Sequence, residues 1–208
     1  IPSKNLLEDV SLDLRQGEIL GLAGLVGSGR SELVKALFGV IEHDGHARIE
    51  VDGREVSVRS PHEAIDMGIG LVTEDRKKDG YVWTMDLKEN MTLASLRLIA
   101  RRGRIDKSRE RELAEDFVER LSIRTTGADA AMDSLSGGNQ QKAILAKWLM
   151  RPLKVLILDE PARGIDVGAK AQIYHLMNEL VGRGMAIIMI SSELPELLAM
   201  CDRLVVLA

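Results

Sequence analysis

The chain has 208 residues, of which 45% are hydrophobic and 29% charged, a balance that argues against disorder and is sufficient for a stable core. With two Trp, two Tyr, two Phe and a net charge of -4, it does not favour a protein that holds nucleic acid by stacking or by a basic surface. The single cysteine, Cys201, excludes an intrachain disulfide and a zinc site built on thiolates.

The first third of the chain predicts a strand, a glycine-rich turn and a helix. Residues 18–23 form a short apolar run that ends in glycines, and apolar residues recur at helical spacing over 31–38. Alternating apolar residues on both sides of Asp52-Gly53 then predict a hairpin within 47–58. We therefore expect an antiparallel satellite beside the first strand.

The middle third indicates a helical subdomain. Residues 69–73 predict one more buried strand, and a charged turn follows over 75–80. Apolar residues then recur at helical spacing over 91–99 and over 107–121, and the second of these segments has one apolar stripe and one charged face.

The last third predicts a parallel sheet covered on both faces. Two fully apolar runs, 155–158 and 186–190, are separated by a helix-like segment over 167–181, which Asp166 precedes as a candidate N-cap. The fold class expected is therefore α/β, with a mostly parallel sheet, a small antiparallel β subdomain and a helical subdomain.

Residues 24–31 have the spacing of a P-loop, the phosphate-binding turn between a strand and a helix. Glycines permit a tight turn whose amides point inward, and the helix adds its positive N-terminal end. Ser31 would coordinate Mg²⁺, whereas Arg30 stands where lysine is usual and cannot reproduce its compact charge. We expect nucleotide binding with impaired hydrolysis; a purely structural turn is the alternative. The candidate phosphate-binding residues are Gly24, Leu25, Val26, Gly27, Ser28, Gly29, Arg30, Ser31 and Glu32.

Two further segments carry candidate chemistry. Asp159 and Glu160 end an apolar strand, where open parallel sheets bind ligands, so Asp159 can hold Mg²⁺ and Glu160 can polarise a water. Upstream, small and amide-rich residues precede a helix expected to begin near Gln141, which makes a second helix end suited to anions. These residues are Ser136, Gly137, Gly138, Asn139 and Gln140.

Taken in order, these motifs resemble the ATP-binding domain of ABC transporters over nearly the whole chain. Residues 135–139 are similar to the family signature, Asp159-Glu160 to its Walker B pair, and Gly164-Ile165-Asp166 to its D-loop. The chain most resembles the second ATP-binding half of fused ATPase subunits in bacterial importers of ribose, galactose, xylose or arabinose. The finer resemblance adds the quartet Glu74-Asp75-Arg76-Lys77. The start at Ile1 then suggests that a first half is missing.

The chain also departs from the family pattern. Glu74 stands where the resemblance implies the Q-loop glutamine; it could still ligate Mg²⁺ but adds negative charge. Ser192 stands where the switch histidine is implied, and a hydroxyl cannot replace an imidazole in relaying hydrogen bonds. The aromatic that stacks on adenine in this family should precede Leu6, yet no aromatic precedes Phe38.

The resemblance implies a single domain over 1–208, with a core over about 1–85 and 150–208 and a helical part over about 86–149. It implies an ATPase with ATP and Mg²⁺ as cofactors, in which Glu160 and Ser192 are the catalytic positions. The domain's own P-loop site would be degenerate, while its signature would complete the site of a partner half.

The partners implied are the N-terminal ATP-binding half of the same subunit or a second ATPase subunit, permease subunits and, indirectly, a solute-binding protein, with no nucleic acid. The implied location is the cytoplasmic face of the bacterial membrane. The alternatives are a non-catalytic ATP-sensing docking module, or an importer ATPase for a nucleoside or related solute.

Overall fold

A computed structural model of the chain describes residues 10–41 and 48–207. The described residues divide into two compact units. The first takes its residues from Ile1–Leu71, Leu153–Glu160 and Met177–Ala208, and the second consists of Val72–Pro152 and Pro161–Leu176.

A five-stranded sheet forms the core of the first unit. Its strands are β1 (Ile19–Gly24), β4 (Ile69–Val72), β7 (Val155–Asp159), β8 (Ala186–Ile190) and β9 (Arg203–Leu207). Their order is β4-β7-β8-β1-β9, and β1 runs parallel to both β8 and β9, as β7 does to β8. The strands expected at 18–23, 69–73, 155–158 and 186–190 are therefore confirmed, whereas β9 was not predicted.

A separate two-stranded hairpin and three helices accompany the sheet. The hairpin pairs β2 (Ile49–Val51) with β3 (Arg54–Val56) in antiparallel register, as predicted, and turns at Asp52 and Gly53, whose φ angles are 53° and 71°. It forms a sheet of its own rather than extending the large one. The helices are α1 (Arg30–Leu37), α2 (Pro61–Asp66) and α8 (Leu194–Met200).

The second unit is mainly helical, as expected. It contains α3 (Leu87–Thr92), α4 (Leu96–Ile99), α5 (Lys107–Arg120) and α6 (Gly137–Leu149), a short hairpin of β5 (Ala100–Arg101) and β6 (Arg104–Ile105), and a π-helical turn over Arg76–Gly80. One buried cluster joins the three longer helices through Met91, Phe117 and Ala146. The mostly parallel sheet with small antiparallel and helical parts confirms the predicted fold class.

Helix α6 begins at Gly137, four residues before the predicted start at Gln141. Glycine is unfavourable inside a helix, which explains why the predicted start lay too far along the sequence. Here the glycines allow close packing instead: a Cβ on Gly138 would lie 2.4 Å from the Cβ of Ala169.

Helix α7 (Val167–Gly182) starts as its sequence predicts, because Asp166 caps it: Oδ1 accepts a hydrogen bond from the Ala169 amide at 2.9 Å. Among the residues that the structure describes, none of the helices combines the length and apolarity needed to span a membrane.

Candidate nucleotide-binding site

The turn between β1 and α1 is shaped by glycines in backbone conformations that other residues disfavour. The φ angles of Gly24, Gly27 and Gly29 are 158°, 89° and 86°. A Cβ on Gly24 would lie 2.6 Å from the carbonyl oxygen of Leu207. Helix α1 then begins at Arg30 with Gly29 as its N-cap, so the unpaired amides of its first turn face the loop.

The tip of this loop is open to solvent. Leu25 and Val26 are 84% and 94% exposed, and no atom lies within 4 Å of the place where a Cβ on Gly27 would stand. The Oγ atom of Ser28, by contrast, is buried and has no hydrogen-bond partner among the described residues. A phosphate oxygen would satisfy this hydroxyl, so the loop fits the phosphates of a nucleotide.

Strand β7 delivers two carboxylates at the edge of the sheet where the loop begins. Asp159 is in register with Ile190 on β8, which is level with Leu22 on β1. Asp159 is 2% exposed, whereas Glu160 is half-buried. Since the carboxyl ends of these parallel strands meet at one edge, both acids stand at the same edge as the glycine loop.

Arg30 and Ser192 connect this edge to the segment after β8. Nη1 of Arg30 donates to the Ser191 carbonyl oxygen at 3.1 Å, and the Ser192 hydroxyl donates to Oε2 of Glu160 at 3.3 Å. Burial raises the pKa of Glu160 and the charge of Asp159 acts in the same direction, whereas the hydrogen bonds from Ser192 and the charge of Arg30 oppose the rise. A carboxylate whose pKa is raised in this way suits the role of a general base near neutral pH.

The side chains at this edge of the sheet suit a Mg²⁺ ion that is bound mainly by water and phosphate oxygens. Within residues 10–41 and 48–207, no group of three or more His, Cys, Asp or Glu side chains could hold a metal ion. Mg²⁺ usually binds proteins through one or two carboxylates, with water and phosphate oxygens as its other ligands. Asp159 and the Ser31 hydroxyl fit the small number of protein ligands that such an ion needs.

The second unit carries the segment Ser136–Gln140, which forms the N-cap and first turn of α6. Ser136 is exposed, and its Oγ accepts a hydrogen bond from Nδ2 of Asn139 at 2.9 Å. Gln140 is 5% exposed, and its Nε2 donates to the Met132 carbonyl oxygen at 3.1 Å. The segment thus offers an exposed serine on a helix start that its amide side chains hold in place.

The other two predicted positions divide between the units. Glu74, expected near a metal, lies in the second unit and forms an exposed ion pair with Arg163. Ser192 lies in the first unit, where it contacts Glu160. The stretch expected to supply an adenine-stacking aromatic, before Leu6, falls outside the described residues.

A profile of the ABC transporter family matches residues 7–163, three quarters of the chain. The chain belongs to the ABC transporter family. Its curated relatives include the ribose import ATP-binding protein RbsA of Geobacillus kaustophilus, which is 48% identical over 99% of this chain and 42% of that protein. The xylose import ATP-binding protein XylG of the same organism is 46% identical over 99% of this chain and 41% of its own length. A putative ribose/galactose/methyl galactoside import ATP-binding protein of Pseudomonas syringae is 50% identical over 98% and 39%.

The ABC transporter chain thus spans about two fifths of the length of these relatives.

Solved structures agree on the fold. A dimeric ATP-binding cassette in a post-hydrolysis state with ADP and Pi superposes with a TM-score of 0.80 at 19% identity, over 97% of this chain and 86% of that one. A nucleotide-free cassette from an ABC transporter gives 0.79 at 21% identity, over 97% and 81%. The predicted family and the P-loop NTPase fold are both confirmed.

Two arginines of this ABC transporter chain contact the predicted segments and were not singled out by sequence reasoning. Arg163 pairs with Glu74, and Arg76 donates to backbone carbonyl oxygens of Arg163 and Gly164. The only signal in the sequence was the quartet at 74–77, which supported the family resemblance without indicating a role.

Proposed function

We propose that this chain is one ATP-binding domain, residues 1–208, of the ATPase subunit of a bacterial ABC importer for a simple sugar. The single observation that carries the proposal is the convergence of the glycine loop, Asp159 and Glu160 at one edge of a parallel sheet. The curated relatives, which are named as ribose, galactose and xylose import ATP-binding proteins, support the choice of substrate class.

In this proposal the loop Gly24–Ser31 binds the nucleotide phosphates, with Glu32 in the first turn of the helix that follows. Ser31 and Asp159 hold Mg²⁺, and Glu74 is a further candidate ligand. The bound MgATP supplies the phosphoanhydride bond whose hydrolysis drives transport. Glu160 orients and deprotonates the attacking water, and Ser192 fixes the rotamer of Glu160 through its hydrogen bond.

The domain's own site is degenerate in this scheme. Arg30 donates to the Ser191 carbonyl oxygen, and a phosphate would have to compete for this guanidinium. Ser192 cannot supply an imidazole, and Glu74 adds negative charge. The segment Ser136–Gln140 would complete the competent site of a partner half, for which the exposed Ser136 supports direct access.

The proposed partners are the N-terminal ATP-binding half of the same subunit, or a second ATPase subunit, and the permease subunits. A solute-binding protein would act through the permease. The proposed place of work is the cytoplasmic face of the bacterial membrane, where the domain would be held peripherally by the permease.

The test compares two variants in the complete ATPase subunit that carries both ATP-binding halves. Ser136→Arg should lower ATP turnover by about 100-fold, because it blocks the competent site from across the interface. Glu160→Gln should lower it by about twofold at most, because it affects only the degenerate site. Phosphate release is the measurement, and urea unfolding confirms that both variants fold.

The isolated 208-residue chain provides the contrasting measurement. We expect it to bind MgATP and to hydrolyse it slowly. Brisk turnover that Glu160→Gln abolishes would contradict the degenerate site. Binding without turnover, even when the other half is present, would favour the alternative of an ATP-sensing docking module.

A further inference from the structure

Arg76 connects three segments of the second unit through the three nitrogens of its guanidinium. Nη1 donates to the carbonyl oxygen of Arg163 at 2.7 Å, and Nη2 donates to that of Gly164 at 3.2 Å. Nε donates to the side-chain oxygen Oε1 of Gln140 at 3.3 Å. One half-buried side chain therefore joins its own turn to the start of α6 and to the loop before α7.

The surroundings of Arg76 are shaped to admit a planar group. A Cβ on Gly137 would lie 2.9 Å from Nη2 of Arg76, and a Cβ on Gly164 would lie 3.7 Å from Nη1. Gly164 also has a φ of 68°, which presents its carbonyl oxygen in a conformation that other residues disfavour. Gly137 thus leaves space that the guanidinium fills, and Gly164 turns its carbonyl oxygen toward it.

A second contact joins two of the same segments. Glu74 and Arg163 form an ion pair, and Glu74 lies only two residues before Arg76. The nitrogen of the same Gln140 amide is held as well, since Nε2 donates to the carbonyl oxygen of Met132. The carbonyl of residue 163 binds Arg76 and the side chain of residue 163 binds Glu74, so the two contacts can be separated by mutation.

We propose that Arg76 is a positioning residue, which fixes the start of α6, with Ser136 at its cap, against the 163–166 loop. The inference rests on the proposed function, because positioning matters only if Ser136–Gln140 contacts nucleotide held by a partner half. A lysine carries the charge but offers one nitrogen in place of a fork, so it cannot reach three acceptors that lie in different directions.

The first experiment uses the 208-residue chain and needs no catalytic activity. Arg76→Ala and Arg76→Lys should each speed amide hydrogen exchange by about tenfold in residues 136–142 and 163–170, and leave the β-sheet unchanged. Lys77→Ala, which removes an exposed neighbouring side chain, is the matched control and should exchange as the wild type does. If Arg76→Ala does not fold, Arg76→Lys alone decides. Wild-type exchange in both segments of a folded Arg76 variant would overturn the proposal.

The second experiment uses the complete ATPase subunit. Arg76→Lys should lower kcat by about 10- to 100-fold with the KM for ATP within about twofold, because misplacement of Ser136 affects the closed complex and not the first encounter with ATP. Arg163→Ala, which keeps the carbonyl acceptor, should have a clearly smaller effect. An equal loss in both variants, or a rise in KM with unchanged kcat, would overturn positioning by Arg76. If the wild-type subunit hydrolyses no ATP, the proposed function fails, and the exchange experiment still decides the role of Arg76.

Discussion

At the scale of single residues, the guanidinium of Arg30 already makes a hydrogen bond, which it would have to break in order to bind a phosphate. Its guanidinium is partly satisfied by the carbonyl oxygen of Ser191, at 3.1 Å. A phosphate offers a charged acceptor, which makes a stronger hydrogen bond than a carbonyl. Release of Ser191 by Arg30 would remove one contact of the segment that carries Ser192, whose hydroxyl donates to Glu160. In the proposed function, Arg30 would therefore be the side chain through which nucleotide binding acts on the Ser191–Ser192 segment.

Lys147 is a charged residue in an apolar setting. Its Nζ donates to the carbonyl oxygen of Gly80 at 2.7 Å and lies 5.3 Å from the centre of the Trp148 ring. Burial lowers the pKa of Lys147 from the ordinary 10.5 to about 8. The unfolded chain therefore binds more protons than the folded one between those two values, and stability rises with pH across that window.

The prediction is that Lys147→Met removes this pH dependence. Relative to the variant, the wild type should gain about 3 kcal/mol in free energy of unfolding between pH 8 and 10.5, as the folded lysine loses its proton first. Urea unfolding at several pH values measures the difference. Lys78→Met, at an exposed position, should show the same pH dependence of the free energy of unfolding as the wild type. Parallel curves for the wild type and Lys147→Met would contradict the prediction.

The sequence predicted those site residues whose role follows from local spacing. The glycine loop and the Asp159-Glu160 pair were predicted from the short sequence distance between a strand and the turn that follows it, and their nucleotide roles stay predictions. Arg76 was not, because its backbone acceptors lie 87 and 88 residues away and carbonyl oxygens leave no mark in a sequence. The metal role of Glu74 and the nucleotide contacts of Ser136–Gln140 stay predictions.

At the scale of elements, α5 contains a matched pair of glutamates in different settings. Glu110 is 1% exposed; its carboxylate accepts hydrogen bonds from the Thr92 hydroxyl at 3.3 Å and the Lys107 ammonium at 2.9 Å. Glu112 is exposed and accepts one from Arg109 at 2.9 Å. Only the first connects α5 to α3.

We expect Glu110→Ala to lower the free energy of unfolding by about 1 to 3 kcal/mol, because it empties a buried position and removes the side chain that joins α5 to α3, although the Thr92 hydroxyl keeps the Lys88 carbonyl oxygen at 2.8 Å as an acceptor. Glu112→Ala should change it by less than about 0.5 kcal/mol, since exposed ion pairs contribute little. Urea midpoints at pH 7 measure both. Equal losses in the two variants would contradict a special role for the buried contact of Glu110.

Element boundaries were predicted where apolar periodicity dominates, as in β7, β8 and α5. They were missed where packing overrides propensity. The sequence at Gly137 and Gly138 indicates a loop, yet both residues lie in the first turn of α6, where a Cβ on Gly138 would clash with Ala169. Strand β9 was also missed; Val206 within it is 71% exposed, so its pattern is not that of a fully buried strand.

At the scale of the whole molecule, one thiol can report on the stability of the chain. Cys201 is the single cysteine of the sequence and is partly buried. Burial raises its pKa to about 12, and the charge of Asp202 acts in the same direction. The thiolate is the reactive form, so the folded chain offers very little of it at ordinary pH.

We predict that iodoacetamide at pH 8 labels the folded chain about three orders of magnitude more slowly than the chain in urea, because the thiolate is that much scarcer. If nucleotide binds as proposed, MgATP at 100 times its Kd should slow the labelling that occurs through unfolding by about another hundredfold. Mass spectrometry follows the reaction. The double variant Cys201→Ala/Ala171→Cys, with an exposed thiol, should be labelled like a free cysteine. Equal rates for the wild type and this variant would contradict the assignment.

The backbone of Glu160 has a φ of 51°, a left-handed conformation that glycine or asparagine adopts more easily. Holding another residue there costs roughly 1 to 3 kcal/mol. A glycine would relieve that cost but would also remove the carboxylate, so the chain holds an acid at this edge of the sheet at the expense of its own stability.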